Sequence, residues 1–117
     1  MILVVQGSRN FNNYAIFLRG MEDALQEAAK LGENEFLIYS AGPARVNSMV
    51  MEFSNITERG LKSQGVKIKY FKIPPSWAKD NFDLIDRFAY FSNPKEQISE
   101  LAKDLDDKDV DVWAYRF

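Results

Sequence analysis

The sequence predicts an α/β protein: a three-layer, Rossmann-like open sheet, mostly parallel, of about four strands with helices on both faces. Three observations carry that prediction. Two short runs, Ile2 to Gln6 and Phe36-Leu37-Ile38-Tyr39, are apolar enough to be strands buried on both faces. Each gives way to a glycine, Gly7 or Gly42, and then to a segment of helical period. Two later segments alternate apolar and polar residues, as strands with one wet face do.

Taken in order, Ile2 to Gln6 is the first strand and Gly7 breaks it. Asn13 to Leu31 places Ile16, Phe17, Met21, Ala24, Leu25 and Ala28 on one stripe, so it is a helix, with Asn12 or Asn13 as its cap and Gly32 as its end. Glu35 to Ala41 is the second strand. A second helix starts near Arg45, turns Val46, Met49, Val50, Phe53 and Ile56 inward, takes Asn47 or Ser48 as its cap and ends near Gly60 or Gly65. Val66 to Ile73 is the third strand, with Lys67 and Lys69 on its wet side.

Pro74-Pro75-Ser76-Trp77 reads as a stiff loop. Asp80 to Tyr90 reads as a short helix burying Phe82, Ile85, Phe88 and Ala89. Asn93-Pro94-Lys95-Glu96 carries a cap residue, a proline and a glutamate in the order of a helix start, and Ile98, Leu101, Ala102 and Leu105 supply an apolar face. Val110 to Phe117 is a final strand, with Trp113, Tyr115 and Phe117 on one side. Right-handed crossovers then favour the strand order 3-2-1-4, with the continuous apolar strands central. That order sets the first two strand-to-helix turns side by side.

At 117 residues the chain is one domain, residues 1–117, and 46% hydrophobic residues give it a core. A formal net charge of −2 argues against general nucleic-acid binding, which needs a basic face. There is no cysteine and no histidine, which excludes disulfides, thiol nucleophiles and histidine acid–base chemistry. A carboxylate-only metal site stays open, but the carboxylates form no tight cluster, so neither a metal nor a cofactor is expected. With no basic leader and no apolar run of spanning length, a soluble cytoplasmic protein without membrane partners is expected.

Four constellations could carry chemistry. Gly7-Ser8-Arg9-Asn10-Phe11-Asn12 follows a buried strand: the glycine permits close approach, Ser8 and backbone N–H groups suit phosphate oxygens, and Arg9 adds a fixed charge. The alternative is a plain turn with a surface arginine. Ser40-Ala41-Gly42-Pro43-Ala44-Arg45-Val46-Asn47-Ser48 repeats the pattern on the next strand, with Arg45 and Asn47 at the helix start. Trp77 could stack on a base or could lid the core. The aromatic last strand could pair with another copy, making a homo-oligomer through residues 110–117, or could pack beneath the helix expected at Asp80–Asn93.

The opening Leu3-Val4-Val5-Gln6-Gly7-Ser8-Arg9-Asn10-Phe11 resembles that of the small stand-alone members of the SLOG superfamily, the YspA/YpsA-related proteins, which begin with a strand and a G-x-R-[DN]-[FY] loop. The family's second motif, G-G-A-x-G-A-D-S, corresponds to Ala41-Gly42-Pro43-Ala44-Arg45-Val46-Asn47-Ser48, so two glycines and the aspartate are replaced. The family's strand-to-tryptophan segment recurs as Val66 to Trp77. The resemblance spans about two-thirds of the chain. It implies a Rossmann-like fold and a crevice for a nucleotide or nucleotide derivative lined by Gly7, Ser8, Arg9, Gly42 and Asn47. The P-G-G-x-G-T-x-x-E string of the family's hydrolases is absent, and Asn47 can bond a ribose hydroxyl but cannot act as a base.

The resulting expectation is a nucleotide-type ligand held by Gly7, Ser8, Arg9, Asn10, Gly42, Arg45, Asn47 and Trp77, with no catalytic residue among them. A structural or interaction module that keeps the fold without the ligand is the alternative, and a phage origin suits so divergent a chain. A hydrolase of the same fold, using a carboxylate such as Glu52 or Asp80, is the second alternative.

Overall fold

The computed structural model describes residues 1–116; Phe117 lies outside them, and so does its expected place on the last strand. Five parallel strands form one sheet in the order β3-β2-β1-β4-β5. They are β1 (Ile2–Gly7), β2 (Glu35–Ser40), β3 (Lys67–Lys72), β4 (Arg87–Ser92) and β5 (Val112–Arg116). Helices α1 (Tyr14–Lys30) and α2 (Ala44–Ser63) cover one face, and the short α3 (Pro75–Asp80) and α4 (Glu100–Asp107) cover the other. The three-layer architecture is therefore as the sequence predicts, with one strand more.

The additional strand is β4. Arg87-Phe88-Ala89-Tyr90-Phe91-Ser92 is buried along its whole length and pairs with β1 from Leu3 opposite Arg87 to Gly7 opposite Phe91. The helix expected over Asp80 to Tyr90 does not form. Its first part is a single 3₁₀ turn at Phe82–Leu84, with Phe82 exposed, and its second part extends into the sheet. The cause is the long return from β3: the chain must recross the sheet on the α3 face and dock beside β1, and a fully apolar run fits a strand covered on both sides.

That insertion moves the last strand outward. β5 pairs only with β4 in this sheet and forms its edge. The crossover direction still reverses between β1 and β4, so the switch point lies beside Gly7. Asn93-Pro94-Lys95-Glu96 is a turn rather than a helix start. The helix begins later, because Ser99 is the residue whose side chain accepts from Ala102 N. Ile98 consequently stands outside the helix, 51% exposed.

The large core lies under α1 and α2, where Phe17, Met21, Val46, Val50 and Phe53 pack on Leu3, Val5, Ile38, Ala89 and Phe91. Ile56, expected inward, is 67% exposed on the outer side of α2. A smaller core joins Val4, Phe88 and Tyr90 to Ala78, Leu101 and Leu105 under α3 and α4. Asn13 caps α1 as expected, its side chain accepting from Ile16 N, and Gly32 follows with φ of +69°. Among the described residues no helix is long and apolar enough to cross a membrane.

Candidate functional site

The parallel ladder between β1 and β2 runs on past its last strand residues. Ala41 N donates to Val5 O at 2.8 Å, and Gly7 N donates to Gly42 O at 3.1 Å. The two glycine turns therefore touch. On the other side Ser8 N donates to Phe91 O at 2.8 Å, which ties the first turn to the end of β4 as well. The tips of three neighbouring strands close on one spot at the switch point.

The two glycines serve different physical ends. At Gly7 a Cβ would lie 2.7 Å from Val46 Cγ2, so the missing side chain lets α2 sit tightly on the sheet. The close approach expected of a ligand here is made by a valine. Gly42 instead has φ of +90° with open space where a Cβ would project, so its backbone conformation is what requires glycine. The Gly42–Pro43 peptide is cis.

The N–H groups expected to meet phosphate oxygens are distributed otherwise than the motif suggests. Those of Gly7 and Ser8 are spent within the fold. Asn13 caps α1. By contrast α2, a helix of 20 residues, starts after Pro43 with no side-chain cap and no acidic residue in its first turn. Asn47 and Ser48 do not cap it: Asn47 Oδ1 accepts from Ser40 Oγ, and Ser48 Oγ donates back to Ala44 O. The open N–H groups, with their partial positive charge, are those at the start of α2.

Arg45 in the first turn of α2 and Arg9 in the turn that the Gly7–Gly42 bond joins to it are both exposed, and neither is in an ion pair among the described residues. Ser8 is only 4% exposed, and its hydroxyl has no hydrogen-bond partner among the described residues. Asn10 Nδ2 donates to Glu96 Oε1 at 3.0 Å, which straps the first turn to the segment before α4. Ser99 Oγ donates to Gln6 Oε1 at 2.6 Å, a second strap on the α4 face. Trp77 is half-buried against Tyr39, ring centroids 4.8 Å apart, and packs on the smaller core that also holds Ala41 of the second turn. Glu52 is exposed on α2, near enough to Tyr14 to add to the upward push that burial gives that phenol.

Two features had no local signature in sequence. Glu96 meets Asn10 across 86 residues, so no spacing rule could pair them. The other is a partly buried polar chain linking β4, β5 and α1. Arg87, 2% exposed, donates from Nη2 to Tyr115 Oη at 3.2 Å, and Tyr115 donates to Asp23 Oδ2 at 2.9 Å. The guanidinium also stands 3.9 Å from the centre of the Trp113 ring. Burial first, and the bond to Asp23 next, push the Tyr115 phenol up to about 12 against the opposing pull of Arg87. Reading Arg87 as a strand residue, alternating with Ala89 and Phe91, is the step that would have exposed this cluster.

Of the well-formed hollows, one of about 410 Å³ runs between α4 and the β4–β5 edge, from Ser92 and Glu96 to Val112 and Arg116. Another, of about 360 Å³, lies beside the β3 edge at Glu58, Lys62 and Lys67. The turn residues Gly7, Ser8, Arg9, Gly42 and Asn47 line neither. No protein-family model, curated protein or solved structure matches this chain.

Proposed function

We propose that the chain is a divergent SLOG-like domain that binds a nucleotide or nucleotide-derived ligand at the joined tips of β1 and β2. The observation that supports this most is the Gly7–Gly42 hydrogen bond, because it brings the Ser8-Arg9 turn to the uncapped start of α2. A phosphate there meets the open N–H groups of the first turn of α2 together with Arg9 and Arg45. Asn47, whose Oδ1 is taken by Ser40, keeps its amide nitrogen for a sugar hydroxyl. In this reading the N–H groups that meet the phosphate are those of α2, since Gly7 N and Ser8 N bond within the fold. A soluble, cytoplasmic protein is part of this reading.

Calorimetric titration with nucleoside monophosphates, cyclic nucleotides and ADP-ribose derivatives tests the proposal. Binding that weakens by about tenfold or more in Arg9→Ala and Arg45→Ala is expected, each charge-assisted contact contributing about 1.5–3 kcal/mol. No heat up to millimolar ligand, or binding indifferent to both arginines, contradicts it.

A second reading is an interaction module that retains the fold without the ligand. It is favoured by the internal use of the Gly7 and Ser8 N–H groups, which closes the part of the turn that the family's first motif would offer.

A further inference from the structure

We propose that the open edge of β5 pairs antiparallel with β5 of a second copy, joining two five-stranded sheets into one across a two-fold axis. This assembly does not rest on the nucleotide reading, since it uses the opposite border of the molecule from the β2–α2 turn.

The two edges of the sheet are unlike. β3 presents Lys67, Lys69 and Lys72 in six residues, the charged pattern that keeps an edge from pairing. β5 is Val112-Trp113-Ala114-Tyr115-Arg116 and has no charge before its last residue. Phe88 N donates to Asp111 O, so in this parallel ladder Asp111, Trp113 and Tyr115 turn their backbone groups to β4. Val112, Ala114 and Arg116 turn theirs outward, where a strand could take them. Trp113 is 44% exposed at this border and Ile98 51% exposed at the hollow beside it.

Charge selects the occupant and its direction. The chain enters β5 through Asp106, Asp107, Asp109 and Asp111 and leaves it through Arg116. Arg116 is exposed and has no ion-pair partner among the described residues. A parallel neighbour would set arginine beside arginine. An antiparallel copy centred on Ala114 sets Arg116 over Val112 of the second copy. Asp106, Val112 and Arg116 line one hollow, with Lys103 on its wall, so in the pair each arginine stands at the mouth of the other copy's hollow, on the side that carries Asp106. The contact is self-complementary and occurs twice, and it closes both β5 edges, which stops the assembly at two.

Sedimentation equilibrium of the full chain over the micromolar range, at low and high salt, is the test. A species at twice the chain mass of 13.5 kDa is expected, weakened by salt. Ala114→Pro removes an outward N–H and no β4 bond, so it should leave the far-ultraviolet circular dichroism unchanged and yield monomer. Should that variant lose its fold, Arg116→Asp decides: it should weaken the dimer about tenfold, and Asp106→Arg added to it should restore the dimer. A monomer at all concentrations overturns the proposal. So does a dimer that persists in a folded Ala114→Pro chain, or one that Arg116→Asp leaves unchanged.

Discussion

The amide N–H of Gly7 donates to the carbonyl oxygen of Gly42 at 3.1 Å. One hydrogen bond thus joins the turns that leave two neighbouring buried strands. It also defines what each glycine does: Gly7 admits Val46, and Gly42 holds a backbone conformation that other residues resist.

Gly7→Ala should be costly because its Cβ would lie 2.7 Å from Val46 Cγ2 in a packed core. Overpacking of this kind costs about 1–3 kcal/mol. Urea denaturation measures it. In a Val46→Ala background the same change should cost markedly less, since the clashing methyl is gone. Equal costs in both backgrounds would place the strain elsewhere.

Gly42→Ala meets no atom within 4 Å, yet φ of +90° disfavours any side chain. A loss of about 1–2 kcal/mol is expected from backbone strain alone. Substitution of Val46 should not relieve it, which separates the two glycines in the same denaturation assay.

Alkaline stability should report on Tyr115. Its phenol is pushed from 10.0 up to about 12, by burial first and then by the bond to Asp23. Between those pH values the unfolded chain releases this proton while the folded chain keeps it. The stabilisation is therefore complete below pH 10.0 and is lost as pH rises towards 12. Tyr115→Phe should flatten the fall in stability across that window. Part of the slope should persist, because Tyr14 is raised as well, by burial and by Glu52. An unchanged profile in Tyr115→Phe would contradict the assignment.

Ser99 both caps α4 and donates to Gln6 Oε1, so it fastens the helix to β1. Ser99→Ala should cost about 1 kcal/mol for the cap. Amide hydrogen exchange should accelerate first at Ala102 and Lys103, the start of that helix. Exchange raised uniformly over the whole chain would mean that the serine supports global stability instead.

The central strands were legible because parallel strands covered on both faces must be apolar throughout, and Leu3-Val4-Val5 and Phe36-Leu37-Ile38 show little else. Phe88-Ala89-Tyr90-Phe91 carries the same signature. In sequence it is ambiguous, because Phe82, Ile85, Phe88 and Ala89 also fall at helical spacing, and short apolar runs fit both periods. Only the need to fill the place beside β1 resolves the choice, and that is a tertiary fact. At the candidate site, the adjacency of the Gly7 and Gly42 turns was readable from strand order. The role of Gly7 was not, since Val46 is 39 residues away and reaches it only through packing. That the N–H groups of Gly7 and Ser8 bond inside the fold is not readable in sequence either, because their partners, Gly42 O and Phe91 O, lie at the ends of other strands.

The most direct measurement of the central claim is amide chemical-shift mapping of the nitrogen-15-labelled chain titrated with a nucleoside monophosphate. The account predicts saturable shifts confined to residues 8–12 and 41–47, strongest at the first turn of α2, and abolished when Arg9 and Arg45 are both replaced by alanine. No shift at millimolar nucleotide, or shifts centred on the hollow between α4 and β5, would contradict it.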